Sequence, residues 1–229
     1  MTFELPDMVP LGGGWFGMGN DAGRPDERPA HRVSLQPFSA AIAPVTNAAY
    51  AAYVEATGAS PAPFSGEERF SGRRQPVVGI SWFEAVAYCE WLSRESGKQF
   101  RLPTEAEREF AARGGCAGLD WPWEGENAAF VAWVNALDGP HEPTAGCENG
   151  FGLRCVAENV HEWCSDWYSA TYYAEAATEN PAGPEQGIRR AARGGSWRHK
   201  EKTTRVSARS SIVPTFQYSD FGFRVYAEG

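Results

Sequence analysis

Nothing in this 229-residue chain approaches the roughly 18 consecutive apolar residues of a membrane-spanning helix. Its start, Met1-Thr-Phe-Glu-Leu-Pro-Asp7, has neither a basic opening nor an apolar stretch, so the expectation is a cytoplasmic protein without a membrane partner. A surplus of positive charge is also missing. With 21 Lys and Arg against 29 Asp and Glu, the net charge of −8 argues against nucleic acid, whose binding draws on cations that neutralise phosphates. The one locally basic stretch, Arg189 to Arg209, reads as a solvated face. The five cysteines, Cys89, Cys116, Cys147, Cys155 and Cys164, form no Cys-x-x-Cys pair, and an odd number cannot all pair within one chain. Reduced structural thiols are expected. No tandem repeat, low-complexity tract or linker divides the sequence, so residues 1–229 are taken as one domain.

What is plentiful is glycine (25), proline (16) and aromatic residues (13%), a combination of many turns with large anchors. Three segments carry helix signals. Asn47 to Ala56 follows Thr46 as a candidate cap and stops at Gly58. Trp82 to Arg94 and Glu105 to Arg113 each open with a capping box, Ser81 with Glu84 and Thr104 with Glu107, and each ends before a glycine. Short β-rich pieces are expected at residues 8–10, 16–18, 31–35, 190–197, 204–208 and 222–226, pairing over long distances so that the two ends of the chain meet. Between Gly115 and Ala192 the expectation is mainly loop, anchored by Trp121, Trp123, Trp133, Trp163 and Trp167. So long a loop region implies a functional surface or an ordered ion.

Certain motifs recur in a recognisable order: Met8-Val-Pro-Leu-Gly-Gly-Gly-Trp-Phe-Gly-Met-Gly19, Pro44-Val-Thr-Asn47, Pro76-Val-Val-Gly-Ile-Ser-Trp82 and Arg101-Leu-Pro-Thr-Glu-Ala-Glu107. They continue with Glu158-Asn-Val-His-Glu-Trp-Cys-Ser-Asp-Trp-Tyr168, Arg193-Gly-Gly-Ser-Trp197 and Gly222-Phe-Arg224. Over nearly the whole length this resembles the formylglycine-generating-enzyme, or sulfatase-modifying-factor, family. The resemblance implies an α+β, C-type-lectin-like fold with a small twisted antiparallel sheet, few helices and extensive ordered loops. It also implies, for the best-known members, oxidation of a sulfatase cysteine by dioxygen at a copper(I) ion held by two thiolates just after the Gly-Gly-Ser motif. This chain has no cysteine after Cys164, so that standard copper site is absent.

Position by position, the first of those cysteines is matched by His199 and the family's pocket tryptophan by His161. Two imidazoles in one pocket, with Glu201 or another carboxylate nearby, make a candidate site for a transition metal. Ser196 matches the family's active-site serine and Asp220 a pocket asparagine. Trp197, Arg205 and Arg209 are candidates for lining the cleft, the arginines as anion-binding forks, although a salt bridge within the fold would use either arginine equally well. The resemblance further implies structural Ca2+. One site would take Glu162 with carbonyls from Glu158 and Val160, beside Asn159, but its usual Asp or Asn is matched by Cys155. A second would begin at Asn135 and Ala136, ahead of a shortened loop, Asp138-Gly-Pro-His-Glu142.

Three readings stay open. The first is a pseudoenzyme or binding module for a peptide or small-molecule ligand. The second is a metal- and dioxygen-dependent oxidoreductase centred on His161 and His199. The third, a diversified ligand-display module, fits poorly because Arg198 to Arg224 contains no asparagine. Sulfoxide-synthase chemistry would need iron-binding histidines from an additional helical domain. Substrate and oligomeric state are not encoded in any motif.

Overall fold

The structure is a computed structural model and describes residues 3–122, 128–199 and 203–229. Its helices begin where side chains satisfy the orphan amides of a first turn. Helix α1 (Asn47–Thr57) starts at Thr46, whose hydroxyl accepts from the Ala49 amide at 3.3 Å, and ends at Gly58 with φ 72°. Helices α2 (Trp82–Ser96) and α3 (Glu105–Arg113) are closed by complete capping boxes at Ser81/Glu84 and Thr104/Glu107, and stop at Gly97 and Gly114 in the left-handed region. A fourth helix, α4 (Ala128–Ala136), lies within the stretch expected to be loop. Its sequence, Ala-Ala-Phe-Val-Ala-Trp-Val-Asn-Ala, is apolar and is preceded by Asn127, a residue type favoured at helix starts, so both signals stood in the sequence.

Ten short strands form three sheets among the described residues. In the first, β4 (Phe38–Ala41) is flanked by β1 (Met8–Leu11) and β10 (Tyr226–Glu228), and β10 pairs in turn with β5 (Phe100–Arg101). Met8 faces Ala41 and Tyr226 faces Ala40, so the two ends of the chain do meet, through β4. A hairpin of β2 (Gly14–Met18) and β3 (His31–Leu35) forms the second sheet. The third runs β8 (Arg209–Ile212), β7 (Arg190–Arg193), β6 (His161–Trp167) and β9 (Phe221–Gly222), with β6 and β9 parallel and the other pairs antiparallel.

Several sequence expectations need correcting here: residues 222–226 are not one strand, since β9 ends at Gly222 and β10 begins at Tyr226, and the basic stretch from Arg189 is not a solvated face, since residues 191–197 and 206–209 are buried. The sequence reads β6 as loop; its His-Glu-Trp-Cys-Ser-Asp-Trp residues include no β-branched one, Trp163 and Trp167 alone favour a strand, and flanking strands on both sides supply the rest of the order. Residues 204–208 are not a strand, because the Arg193 guanidinium draws in the carbonyls of Val206 and Ser207 and β8 begins only at Arg209. Strand β7 ends at Arg193, since Gly194 turns the chain with φ 78° and a Cβ there would sit 2.9 Å from Arg108 Nη2. Of the expected aromatic anchors, Trp163 is fully buried and donates to the Ile80 carbonyl at 2.7 Å, whereas Trp123 lies outside the described residues.

Helix α3 shows how this fold is held. All of its residues except Phe110 are buried, including Glu105, Arg108, Glu109 and Arg113. They survive there because each finds an opposite charge. Glu105 receives Arg193 and Arg209, Glu109 receives Arg113 and Arg193, and Arg108 reaches Glu162, which also receives Arg224. Unpaired, any one of these charges would cost several kcal/mol to bury, on the order of 3–5.

Candidate functional site

Strand β6 begins at His161, and its parallel pairing with β9 sets Asp220 beside it through a His161 amide to Asp220 carbonyl bond of 2.8 Å. The Gly194-Gly195 turn after β7 delivers Ser196, Trp197 and His199 to the same place. It is held there by the Trp197 amide donating to the Asn159 carbonyl at 2.8 Å. Gly195 cannot carry a side chain, because a Cβ would lie 2.1 Å from Thr204 Cγ2. The imidazoles of His161 and His199 have centroids 4.9 Å apart. One ring nitrogen of each and one Asp220 carboxylate oxygen all lie within 4.8 Å of one another.

Ser196 organises this trio. Its hydroxyl is 3.0 Å from Asp220 Oδ2 and 3.1 Å from His199 Nδ1, so a proton given to the carboxylate leaves the oxygen to accept from the imidazole. His161 is 5% exposed, and its Nδ1 has no hydrogen-bond partner. Burial, and next the nearby charge of His199, push the His161 pKa down to about 4, with Asp220 opposing. The His199 pKa is also lowered, by burial first, against the pull of Asp220. Both rings are therefore neutral at neutral pH, the protonation state a metal ligand needs.

A cavity of about 390 Å3 opens onto His199 and is lined by Arg69, Val134, Leu137, Trp197 and Arg198, with Asn135 on its wall. Arg69 stacks on Trp197 at 4.5 Å, and Arg198, about half exposed, stands 3.8 Å from Asp220. No cysteine lines the cavity.

The model of the sulfatase-modifying factor enzyme 1-like domain matches residues 1–228. The chain belongs to this family. It is 37% identical to the formylglycine-generating enzyme of Streptomyces coelicolor over 280 residues, covering 94% of this chain and 87% of that one. It is 36% identical to the serine/threonine-protein kinase pkn1 of Chlamydia pneumoniae over 243 residues, 96% of this chain but 38% of that protein. It therefore spans well under half of the kinase-named relative. Among solved structures, PvdO from Pseudomonas aeruginosa superposes with a TM-score of 0.86 at 29% identity, covering 98% of this chain and 95% of the other.

Within the sulfatase-modifying-factor family frame, the expected sites separate sharply. His161, His199, Ser196 and Asp220 come together, and Trp197 lines the cavity; Glu201 lies outside the described residues. Arg205 and Arg209 do not line the cleft. Arg205 is bidentate on the buried Glu27, at 2.8 and 2.6 Å, and Arg209 is bidentate on Glu105, at 2.7 and 2.8 Å. Arg69 and Arg198 supply the cationic rim instead, and no motif marked them because Arg69 comes from a distant segment.

The residues expected to hold calcium do not fit it. Glu162 is fully buried between Arg108, at 2.6 Å, and Arg224, at 2.8 Å, so a calcium ion there would face two guanidiniums. Burial alone would raise the Glu162 pKa, but the charges of Arg108 and Arg224 hold it below the ordinary carboxylate value. Asn159 spends its side chain on His141, bonding both the His141 amide and carbonyl, and on Cys155. Glu158 and Val160, expected to give only backbone carbonyls, are both buried, and the one carboxylate of that set is Glu162, which its arginines already neutralise. Asn135 and Ala136 are exposed at the end of α4, and the following Asp138 pairs with Arg69.

Proposed function

We propose that this sulfatase-modifying-factor-family chain is a metal-dependent oxidoreductase whose centre is His161, His199 and Asp220 in place of a thiolate pair. One observation carries the reading: three donor atoms of the two-histidine, one-carboxylate type lie within 4.8 Å of one another, and His161, which supplies one of them, has a buried ring nitrogen, Nδ1, without a partner. Iron(II) or copper in such a ligand set supplies one-electron chemistry with dioxygen. The chain's own residues do the rest. Burial keeps both imidazoles neutral, Ser196 fixes the orientation of His199 and Asp220, and Arg69 with Arg198 attracts an anionic group into a cavity walled by Trp197 and Leu137. A small molecule or peptide bearing a carboxylate suits that rim.

Among the described residues no helix is long and apolar enough to cross a membrane. All five cysteines are unpaired, which supports a cytoplasmic, reducing setting.

A second reading, a binding module that does no chemistry, is favoured by one fact: Asp220 is already engaged by Ser196 and Arg198. Anaerobic loading with iron(II) or copper(I), elemental analysis and dioxygen uptake with ascorbate separate the two. The oxidoreductase reading expects about one metal per chain and a loss of affinity of at least ~10-fold in His161→Ala and His199→Ala. Metal content and uptake unchanged in both variants would sink it. A sulfatase-type cysteine peptide should stay unconverted with copper present, for want of the thiolate pair.

A further inference from the structure

A second group of metal-ligand side chains lies apart from the histidine pair. His141, Cys155 and Glu158 each offer one donor atom, and these atoms also fall within 4.8 Å of one another. His141 comes from the connection after α4, and the other two from the turn before β6, so tertiary folding alone assembles them.

Two of the three donor atoms, His141 Nε2 and Glu158 Oε1, are buried without a partner. Glu158 is 2% exposed; one carboxylate oxygen accepts from the Ala157 amide at 3.2 Å and the other, Oε1, has no partner. The His141 side chain is 10% exposed, and its Nδ1 donates to the Glu142 carbonyl at 3.0 Å. That bond fixes the tautomer and leaves the Nε2 lone pair without a partner, 3.9 Å from Glu158 Oε1 and too far for a hydrogen bond. Cys155 Sγ is fully buried, receives the Asn159 amide at 3.3 Å and meets the Pro143 carbonyl only at 3.9 Å. Metal binding would displace the thiol proton, since zinc takes cysteine as the thiolate. Gly146 stands over the group, and a Cβ there would come within 2.7 Å of Glu158 Oε1 and 3.2 Å of Cys155 Sγ. Asn159 ties the two halves together by bonding the His141 backbone on both sides.

We infer that His141, Cys155 and Glu158 form a zinc site that clips the segment around residues 141–146 to the turn leading into β6. Nitrogen, thiolate and carboxylate donors suit a borderline-soft ion and are a poor set for calcium. Tetrahedral zinc with these bond lengths spaces its ligand atoms about 3.3–3.6 Å apart, so the 3.9 Å separation here needs only a small contraction. The fourth position is left for water. The site is independent of the oxidoreductase reading, since it shares no ligand with His161, His199 or Asp220.

The test uses the full chain carrying His161→Gln and His199→Gln, stripped with chelator and titrated with zinc chloride or cobalt(II) chloride alone. About one equivalent should bind, the cobalt form should show a thiolate-to-metal charge-transfer band, and Cys155→Ser in this background should abolish the band. Zinc at ~100 times its Kd should raise Tm by about 5–10 °C, and Glu158→Gln should reduce that shift. Should Cys155→Ser fail to fold, X-ray absorption of the zinc-loaded parent decides the matter: one sulfur at about 2.3 Å with lighter ligands at about 2.0–2.1 Å is expected. A shell with no sulfur, or a charge-transfer band and Tm shift that persist in Cys155→Ser, overturns the assignment.

Discussion

Two buried regions of this protein use the same chemical vocabulary to opposite ends. Around α3, the carboxylates of Glu105, Glu109 and Glu162 are saturated by Arg108, Arg113, Arg193, Arg209 and Arg224. At the mouth of β6, His161, His199 and Asp220 stand close together, with Ser196 bonded to the last two, Arg198 near Asp220, and one His161 ring nitrogen without a partner. The saturated region has no valence left for a ligand, and its charges serve the fold. In the unsaturated one, a buried imidazole nitrogen is left without a partner.

The largest test of that contrast is Glu162→Gln. It strips the matched charge from two buried guanidiniums at once and should cost about 3–5 kcal/mol in denaturant unfolding; a loss below ~1 kcal/mol would mean that the ion pairs do not hold the fold. Next comes Asp166, which takes the Glu105 amide and the Ser165 hydroxyl but forms no close ion pair among the described residues. Burial first, and then the charge of Glu105, push its pKa up to about 7. A carboxyl group raised in the folded state contributes stability below its unfolded pKa and loses it as pH rises through the folded value. Wild type should therefore weaken between about pH 4 and 7 from this group, and Asp166→Asn should gain on it by about 1–3 kcal/mol at pH 8 but not at pH 4. Identical pH profiles for the two proteins would contradict this.

Glu105 and Glu162 run the other way. Burial raises each, their arginines outweigh it, and the lowered pKa values mean stability present above the ordinary carboxylate range and lost as pH falls below it. Removing the Thr104 cap of α3 by Thr104→Ala should cost about 1 kcal/mol, measured by thermal unfolding. The smallest effect is expected in the pocket: His199→Gln should change stability by less than ~0.5 kcal/mol while altering metal binding. A destabilisation as large as that of Glu162→Gln would move His199 into the structural class and erase the comparison.

Much of the scaffold was legible because its signals are local. Ser81 with Glu84 and Thr104 with Glu107 specify two helix starts within four residues, and Gly58, Gly97 and Gly114 mark three ends. The motif order led to the family and, position by position, to His161, His199, Ser196 and Asp220. Arg205 and Arg209 failed as cleft residues because closeness to the Gly-Gly-Ser motif says nothing about which side of the turn a long side chain takes. Glu27 and Glu105, far away in sequence, decided that. Strand β6 failed because only Trp163 and Trp167 among its residues favour a strand, and its pairing partners lie far away in sequence.

By itself, then, the amino-acid sequence determined the starts of α1, α2 and α3, their glycine stops, the family and the absence of any cysteine after Cys164, since each depends on neighbours in the chain or on the presence of a residue type. The tertiary structure decided which charges are structural, that Glu162 is claimed by Arg108 and Arg224, and that His141 meets Cys155 and Glu158. Those outcomes rest on pairs separated by tens of residues, and electrostatic and ligand chemistry act through distances in space that no local pattern records.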